Sequence, residues 1–324
     1  MDIKYQLKTA VLFLIFNRPD TTKQVFEAIK KAQPLRLYIG SDGPRESKTG
    51  ETKIVHAVRE FVINNIDWDC EVKTLFRDRN LGCGNAVSSA ISWFFDNEEA
   101  GIILEDDIMP SQSFFIFCEE LLKKYKDEDK IWHIGGFNSD NSIAKGEGSY
   151  YFSKKVHVWG WATWKRAWKY YDFDMKSFSY FNENHIIERI FKYKDLQEYS
   201  IGNFKKCYEK RIDTWDYQWT YAILSHGGVA VIPNKNMISN IGFGANATHT
   251  KDGKSLFANI KRFEIMEICY PELISVNDKM DYDYFCKEYY GNDSFIENPL
   301  KWLKNKLKKL PLKNILPIKK SRQE

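Results

Sequence analysis

What is missing from this chain narrows its class before any motif is read. No stretch approaches the roughly 18 consecutive apolar residues that a membrane-crossing helix needs, and the N-terminus lacks the charged, then apolar, then small-residue succession of a secretory leader. The expected location is therefore the cytoplasm. Cysteine is sparse: Cys70, Cys83, Cys118, Cys207, Cys269 and Cys286 show neither the paired spacing of a metal site nor a short secreted context, so reduced thiols are expected. Cys83, between Gly82 and Gly84, reads as a small filler rather than a nucleophile. G-x-G-x-x-G and G-x-x-x-x-G-K-[ST] are both absent, which removes support for dinucleotide redox chemistry and P-loop hydrolysis. No internal repeat occurs, and no low-complexity segment outside a Lys-rich C-terminus.

What is present is enough apolar material for a large core. Of 324 residues, 43% are hydrophobic, and 15% are aromatic with ten Trp, more rings than a core alone calls for. Some are expected on a binding surface, where flat rings suit sugars and bases. The net charge of +4 is unevenly spread: residues 298–324 hold nine Lys/Arg against one Glu, about +8, leaving the body at about −4. In that tail Leu300, Leu303, Leu307 and Leu310 recur at helical spacing beside Trp302, with Lys opposite. Such a basic amphipathic segment is expected on an anionic membrane surface, at the inner face of the plasma membrane. A disordered tail, or a helix packed on the body, is the bland alternative. Nucleic acid is not expected as a partner, because the rest of the chain has no basic patch.

The body alternates strand and helix. Thr9–Phe16 is a continuous apolar run, as in a strand buried on both faces. A helix opens near Pro19 and carries Val25, Phe26 and Ile29. Leu35–Ser41 and Cys70–Phe76 read as strands, Ile54–Ile66 and Asn85–Phe95 as helices, and Gly101–Ile108 as the fourth strand. This β-α-β alternation predicts an α/β fold: an open, mostly parallel twisted sheet with helices on both faces, a Rossmann-like nucleotide half joined to an acceptor-binding half. The expected layout is one catalytic domain over 1–297, with a nucleotide-sugar half to about 130, an acceptor half over 131–253 and an α-rich extension over 254–297. The tail follows at 298–324.

The fourth strand ends in Glu105, Asp106 and Asp107. Three adjacent carboxylates raise one another's pKa unless positive charge sits among them. A bound Mg²⁺ or Mn²⁺ is the simplest source, because hard oxygen ligands suit both ions. A solvated acidic turn is the alternative, but ligands of open α/β sheets gather at strand C-termini, where these acids fall. The other strand ends carry Arg18, Asp42 and Arg79-Asn80, a set suited to a metal-held nucleoside diphosphate.

These residues resemble a family. Asn17-Arg18-Pro19 after the first strand, Ser41-Asp42-Gly43 after the second, and Ile103-Leu-Glu-Asp-Asp-Ile108 before a Phe-rich helix are similar to the nucleotide-sugar half of GT-A fold glycosyltransferases. Ile131-Trp-His-Ile-Gly-Gly-Phe-Asn138, Val158-Trp-Gly-Trp161 and Thr214-Trp-Asp-Tyr-Gln-Trp219 follow in the order of the N-acetylglucosaminyltransferase I family. The resemblance spans about residues 9–250. It implies metal-dependent, inverting transfer of a sugar from a nucleoside-diphosphate donor; the basic tail and the lack of a leader add the expectation that a hydroxyl of a glycan or lipid-linked glycan receives it. It places Asp107 on Mn²⁺, Asp106 on the ribose, and Arg18 and Asp42 at the nucleotide; Arg79 and Glu105 are expected around the donor from their place at the strand ends.

Inverting transfer needs a base for the acceptor hydroxyl. Asp216 is the expected one: Trp215 and Trp219 flank it, and desolvation by their rings would raise its pKa. Its plainer role is to favour a helix N-terminus; Asp213 and Glu209 are reserves. Trp159 and Trp161 are expected to stack on sugar, with Gly160 allowing a close approach, and Asn138 and Asp140 to contact the acceptor. Trp164 and Trp168, spaced as on a helix, read as core, as do His133 and His157 inside apolar strands. The Gly-rich segment 240–253 could close over the donor and bring His249 to the metal. Two other classes compete: a sugar-nucleotide nucleotidyltransferase, which normally has a Gly-rich basic loop after its first strand, and a non-catalytic carbohydrate-binding scaffold.

Overall fold

A computed structural model describes residues 6–139, 148–243 and 257–290. The chain divides into two compact units, 1–277 and 278–324. In the first, the strands are β1 (Ala10–Ile15), β2 (Arg36–Ser41), β3 (Glu71–Phe76), β4 (Ala100–Glu105), β5 (Ile108–Pro110), β6 (Ile131–Gly135), β7 (Tyr150–Ser153), β8 (Trp161–Trp164), β9 (Val229–Pro233) and β10 (Ile238–Asn240). The helices are α1 (Pro19–Ala32), α2 (Glu51–Asn64), α3 (Gly82–Asn97), α4 (Gln112–Lys124), α5 (Lys165–Trp168), α6 (Phe178–Glu183), α7 (Ile186–Ile190), α8 (Lys194–Tyr208) and α9 (Asp216–Ser225). In the second unit the described element is α10 (Asp278–Tyr290).

Eight strands form one sheet in the order β3-β2-β1-β4-β8-β6-β9-β7. Pairing is parallel from β3 to β4 and between β6 and β9, while β8 and β7 run antiparallel to their neighbours. The expected α/β class is observed, and the reason is legible in β1. Its even and odd residues point to opposite faces, and both faces are covered: Val11, Phe13 and Ile15 join a core with Val25 and Phe26 of α1 and Phe114 of α4, whereas Leu12 and Leu14 join Ile91 and Phe94 of α3 and Trp219 of α9. Being buried on both sides, β1 has no polar alternation. β3 is the edge strand, and its Glu71 and Lys73 pair with each other at 3.4 Å, charge that protects an edge from foreign strands.

Two sequence expectations change. Trp164 lies in strand β8, and the helix begins only at Lys165. Both Trp164 and Trp168 are core, as read, but since β8 is covered on both faces its period was invisible. Of the expected α-rich extension over 254–297, residues 278–290 are helical as α10, but residues 257–277 are not. Residues 257–277 form an extended strap whose polar groups bond to other elements instead of to one another. Glu264 accepts the Gln112 and Ser113 N–H groups, at 3.1 and 2.7 Å, in the first turn of α4, and Cys269 O accepts from Ser149 N at 2.7 Å.

His133 in β6 is a satisfied core histidine, as expected; His157 lies between β7 and β8 and is half-buried. The Trp219 indole N–H points at His133 Nδ1 (3.2 Å), and His133 Nε2 lies 2.9 Å from the His157 carbonyl. Both contacts are met only by the neutral ring with its proton on Nε2, because a second proton on Nδ1 would face another donor. Burial lowers this pKa to about 3. Below the unfolded value near 6.5 the unfolded chain binds a proton that the folded chain refuses, so stability falls as pH drops from about 6.5 toward 3. The full effect is about 5 kcal/mol. Urea unfolding of wild type and His133→Gln between pH 7 and 4 should show wild type losing stability relative to the variant as pH falls; a difference that does not change with pH would refute the assignment.

Candidate functional site

β4 is central, between β1 and β8, and its C-terminus delivers Glu105, Asp106 and Asp107 to the sheet's upper edge. The positive charge that the acids require comes in part from the chain itself. Arg18 caps α1, where its carbonyl accepts from Thr22 N (3.0 Å) and Pro19 takes the first helical position. From there the guanidinium lies 3.4 Å from Asp106 and in a short contact with Asp107. Burial opposes its charge, but the two carboxylates more than offset that and raise its pKa. Phe16 N also donates to Asp106 at 3.2 Å.

One guanidinium does not balance three buried acids. Burial, then Asp107 and Asp106, raise the Glu105 carboxyl to about 8; burial, then Asp107, raise Asp106 to about 7, and burial also raises Asp107. A buried, oxygen-only cluster short of positive charge fits a hard divalent cation. It is not a preformed cage: among the described residues no three His, Cys, Asp or Glu side chains converge on one point. An ion here would need a carboxylate or two plus oxygens from water or substrate, the usual arrangement for Mg²⁺. His249, the other expected ligand, lies outside the described residues, as does Asp140.

Two adjoining cavities open beside the acids. The first, about 240 Å³, is walled by Phe16, Asp42, Arg45, Asn80, Ala86 and Asp106 among others. Asp42 lies there as expected, but its carboxylate is turned to backbone, accepting from Gly43 N (2.9 Å) and Leu81 N (3.0 Å); burial still raises its pKa. Arg79 is corrected: its side chain is exposed and lines neither cavity. The cation that lines the first cavity beside Arg18 is Arg45, for which the sequence alone gives no assignment. It lies over the Phe16 ring at 5.5 Å and is gripped by buried Glu51, which also accepts from Asn17 at 2.8 Å. The one signal for it was an Arg directly after the Asp42-Gly43-Pro44 turn.

The second cavity, about 480 Å³, shares Arg18, Cys83, Glu105 and Asp213 with the first, and both Asp107 and Asp216 line it. Asp216 opens α9, and Thr214 Oγ1 donates to its Oδ1 in a short hydrogen bond. The loop is fixed by Asp213, whose carboxylate accepts from Cys83 N (2.9 Å) and Gly84 N (2.8 Å) at the start of α3. The helix-terminal N–H groups favour that anion, and the tie holds Asp216 across from the acids. The flanking rings are not walls around Asp216 alone: Trp219 is fully buried, and Trp215 stacks on Trp161 at 5.7 Å. Glu209 is exposed and paired with Arg211 at 2.8 Å, away from both cavities. Burial and the nearby carboxylates push the Cys83 thiol well up, which suits a filler and not a nucleophile.

Three acceptor expectations are corrected. Trp161 is completely buried, stacked on His133 at 5.1 Å, so it cannot meet a sugar. Asn138 is equally buried; its Nδ2 donates to Pro233 O at 2.7 Å and its backbone N to Asn236 Oδ1 at 3.0 Å. Gly160 (φ +61°) admits neighbouring protein, not substrate, because a Cβ there would stand 2.4 Å from Ile238 Cδ1. Trp159 does line the second cavity. The reason is position along the chain: β8 begins at Trp161, which pairs with Ile103 inside the sheet, whereas Trp159 precedes the strand, beside the acids that follow Ile103. β10 pairs with β5 and brings Asn240 and Gly242 over Asp107, where a Cβ on Gly242 would stand 2.1 Å from Asp107 Oδ2.

Among the described residues no helix is long and apolar enough to cross a membrane. No protein-family model and no curated protein matches the chain. Solved structures do resemble it at low identity. One is GalNAc-T7 with UDP, GalNAc and Mn²⁺, 12% identical with a TM-score of 0.44, over 77% of this chain and 46% of that one. Another is mouse xyloside xylosyltransferase 1 in its apo form, 8% identical with a TM-score of 0.36, over 68% of this chain and 82% of that one. A third, UDP-glucose pyrophosphorylase complexed with UDP-glucose, is 10% identical with a TM-score of 0.31, over 50% of this chain and 78% of that one. The chain thus spans less than half the length of the GalNAc-T7 structure and most of the other two.

Proposed function

We propose that this chain is a metal-dependent inverting glycosyltransferase, moving a sugar from a nucleoside-diphosphate donor to a hydroxyl of a glycan or lipid-linked glycan. The observation that carries the reading is that Asp107, at the end of β4, and Asp216, at the start of α9, line one cavity although they lie far apart in sequence. A general base and a cluster suited to a phosphate-bound cation are the two parts that inverting transfer requires.

In this reading residues to about 130 hold the donor and 131–253 the acceptor. Phe16, Asp42 and Arg45 enclose the nucleoside, and Arg18 with the acids faces the diphosphate. Asp216 takes the proton from the acceptor hydroxyl as its oxygen attacks the anomeric carbon; the bond to the diphosphate breaks on the opposite face, and its electron pair leaves with the phosphate. Thr214 keeps the Asp216 carboxylate oriented, and Arg18 favours the negative charge that develops. Asp106, in the first cavity, reaches the ribose, and bound Mn²⁺ or Mg²⁺, held by Asp107, would supply further charge neutralisation on the departing group.

A thermal-shift screen of nucleotide sugars with Mn²⁺ and with chelator tests the reading. At a hundredfold excess over the dissociation constant the right donor should add about 2.7 kcal/mol of stability. Equal stabilisation in chelator would exclude the metal, and no stabilisation by any nucleotide sugar would exclude the donor. The basic segment 298–324, outside the described residues, is proposed to hold the enzyme on an anionic membrane face at roughly 1 kcal/mol per basic residue. Deleting it should move the protein from membrane to soluble fractions, and unchanged partitioning would refute that role.

A further inference from the structure

The walls of the second cavity carry information about what it takes. Trp159 is half-buried there, and its indole is held edge to face by Phe137 (4.7 Å, 71°) and by Phe243 (5.9 Å, 90°). Phe137 is itself buried in the core, so the ring has a fixed plane. A ring immobilised before binding loses no rotamer freedom when a flat apolar surface settles on it. The C–H face of a pyranose is such a surface.

Charge adds a second constraint. Asp107, Asp213 and Asp216 face this cavity, against one guanidinium, Arg18, which is already engaged by Asp106 and Asp107. Asp213 is fixed by the amides of α3, and Asp216 by Thr214. No other lysine or arginine among the described residues lines it. Tyr217, Thr214 and Asn240 supply neutral hydroxyl and amide groups of the kind that bond sugar hydroxyls.

We propose that this cavity takes an uncharged terminal sugar, seated against Trp159, and rejects glycans that end in a uronic acid or a phosphate. The proposal rests on the transferase reading and names its acceptor class. A nucleoside diphosphate bound with its divalent ion adds no net positive charge, so Asp213 and Asp216 keep the acceptor side negative in either case. An anionic terminus would meet the carboxylates at short range, where the effective dielectric is well below that of water.

Saturation-transfer NMR on the full chain provides the test, with methyl glucoside, galactoside, mannoside and N-acetylglucosaminide as neutral probes. Methyl glucuronide, methyl galacturonide and glucose 6-phosphate are the anionic ones. At least one neutral glycoside should bind, and its anionic counterpart should bind at least about tenfold more weakly at low salt, with the gap narrowing as salt rises. Trp159→Ala should abolish neutral binding while Trp159→Phe retains part of it. Anionic probes binding as well as neutral ones, neutral binding that survives in Trp159→Ala, or no binding by any neutral glycoside would each overturn the proposal. Donor thermal shifts on the same samples separate the two readings: donor binding with indifferent acceptor charge overturns the acceptor class alone, and no donor binding overturns both.

Discussion

Asp216→Asn is expected to lower transfer by about 10²–10⁴-fold, the usual contribution of a positioned general base, while donor affinity stays unchanged. Asparagine keeps the size and the acceptor oxygen that Thr214 Oγ1 donates to, so the loop between Asp213 and α9 should hold. What is lost is the ability to receive a proton. Because the residue lies on the acceptor side and not in the first cavity, Mn²⁺-dependent stabilisation by the donor should match wild type. Steady-state kinetics combined with thermal shift reads both quantities. Turnover within a factor of a few of wild type would remove Asp216 from the chemistry and transfer the role to Asp213, its neighbour in the same cavity.

Asp107→Ala should act on both quantities at once. The expected loss is about 10²–10³-fold in turnover, together with disappearance of the stabilisation that Mn²⁺ gives in the presence of donor. The carboxylate is buried among Glu105, Asp106 and Arg18, so its removal also relieves repulsion between acids, and the fold should survive with Arg18 still beside Asp106. The contrast between the variants carries the discrimination: loss of turnover alone belongs to the base, loss of metal-dependent donor binding to the ion site. A carbohydrate-binding scaffold would keep partner binding in both. Retained Mn²⁺-dependent donor binding in Asp107→Ala would place the metal elsewhere.

Much of the architecture was legible because it is governed by near neighbours. The apolar runs of β1 and β4 are short, bounded by Pro and Asp, and filled with residues that suit a doubly covered strand. Helix α1 announces its start with Pro19. The gathering of Arg18, Asp42 and the acids follows from a parallel sheet, whose strand ends must share an edge. The errors share a cause. Trp159 and Trp161 look alike in sequence because both are Trp beside a glycine, yet Trp161 sits inside β8 and packs in the core while Trp159 precedes the strand and stays at the cavity. Asn138 looked available because polar residues in loops usually are, but it bridges the ends of β6 and β9. Arg45 was passed over because its grip on Glu51 and its place over Phe16 unite residues from three separate loops and helices.

By itself the amino-acid order determined where negative charge accumulates: three acids end a strand too apolar to lie anywhere but the middle of a sheet, and burial there forces some cation to join them. Only the tertiary structure decided which cation the chain supplies, which aspartate faces the acids and which tryptophan remains accessible. Those outcomes depend on the insertion of β8 against β4 and on the bond from Asp213 to the first turn of α3. Both link distant segments whose pairing leaves no local pattern of hydrophobicity to read.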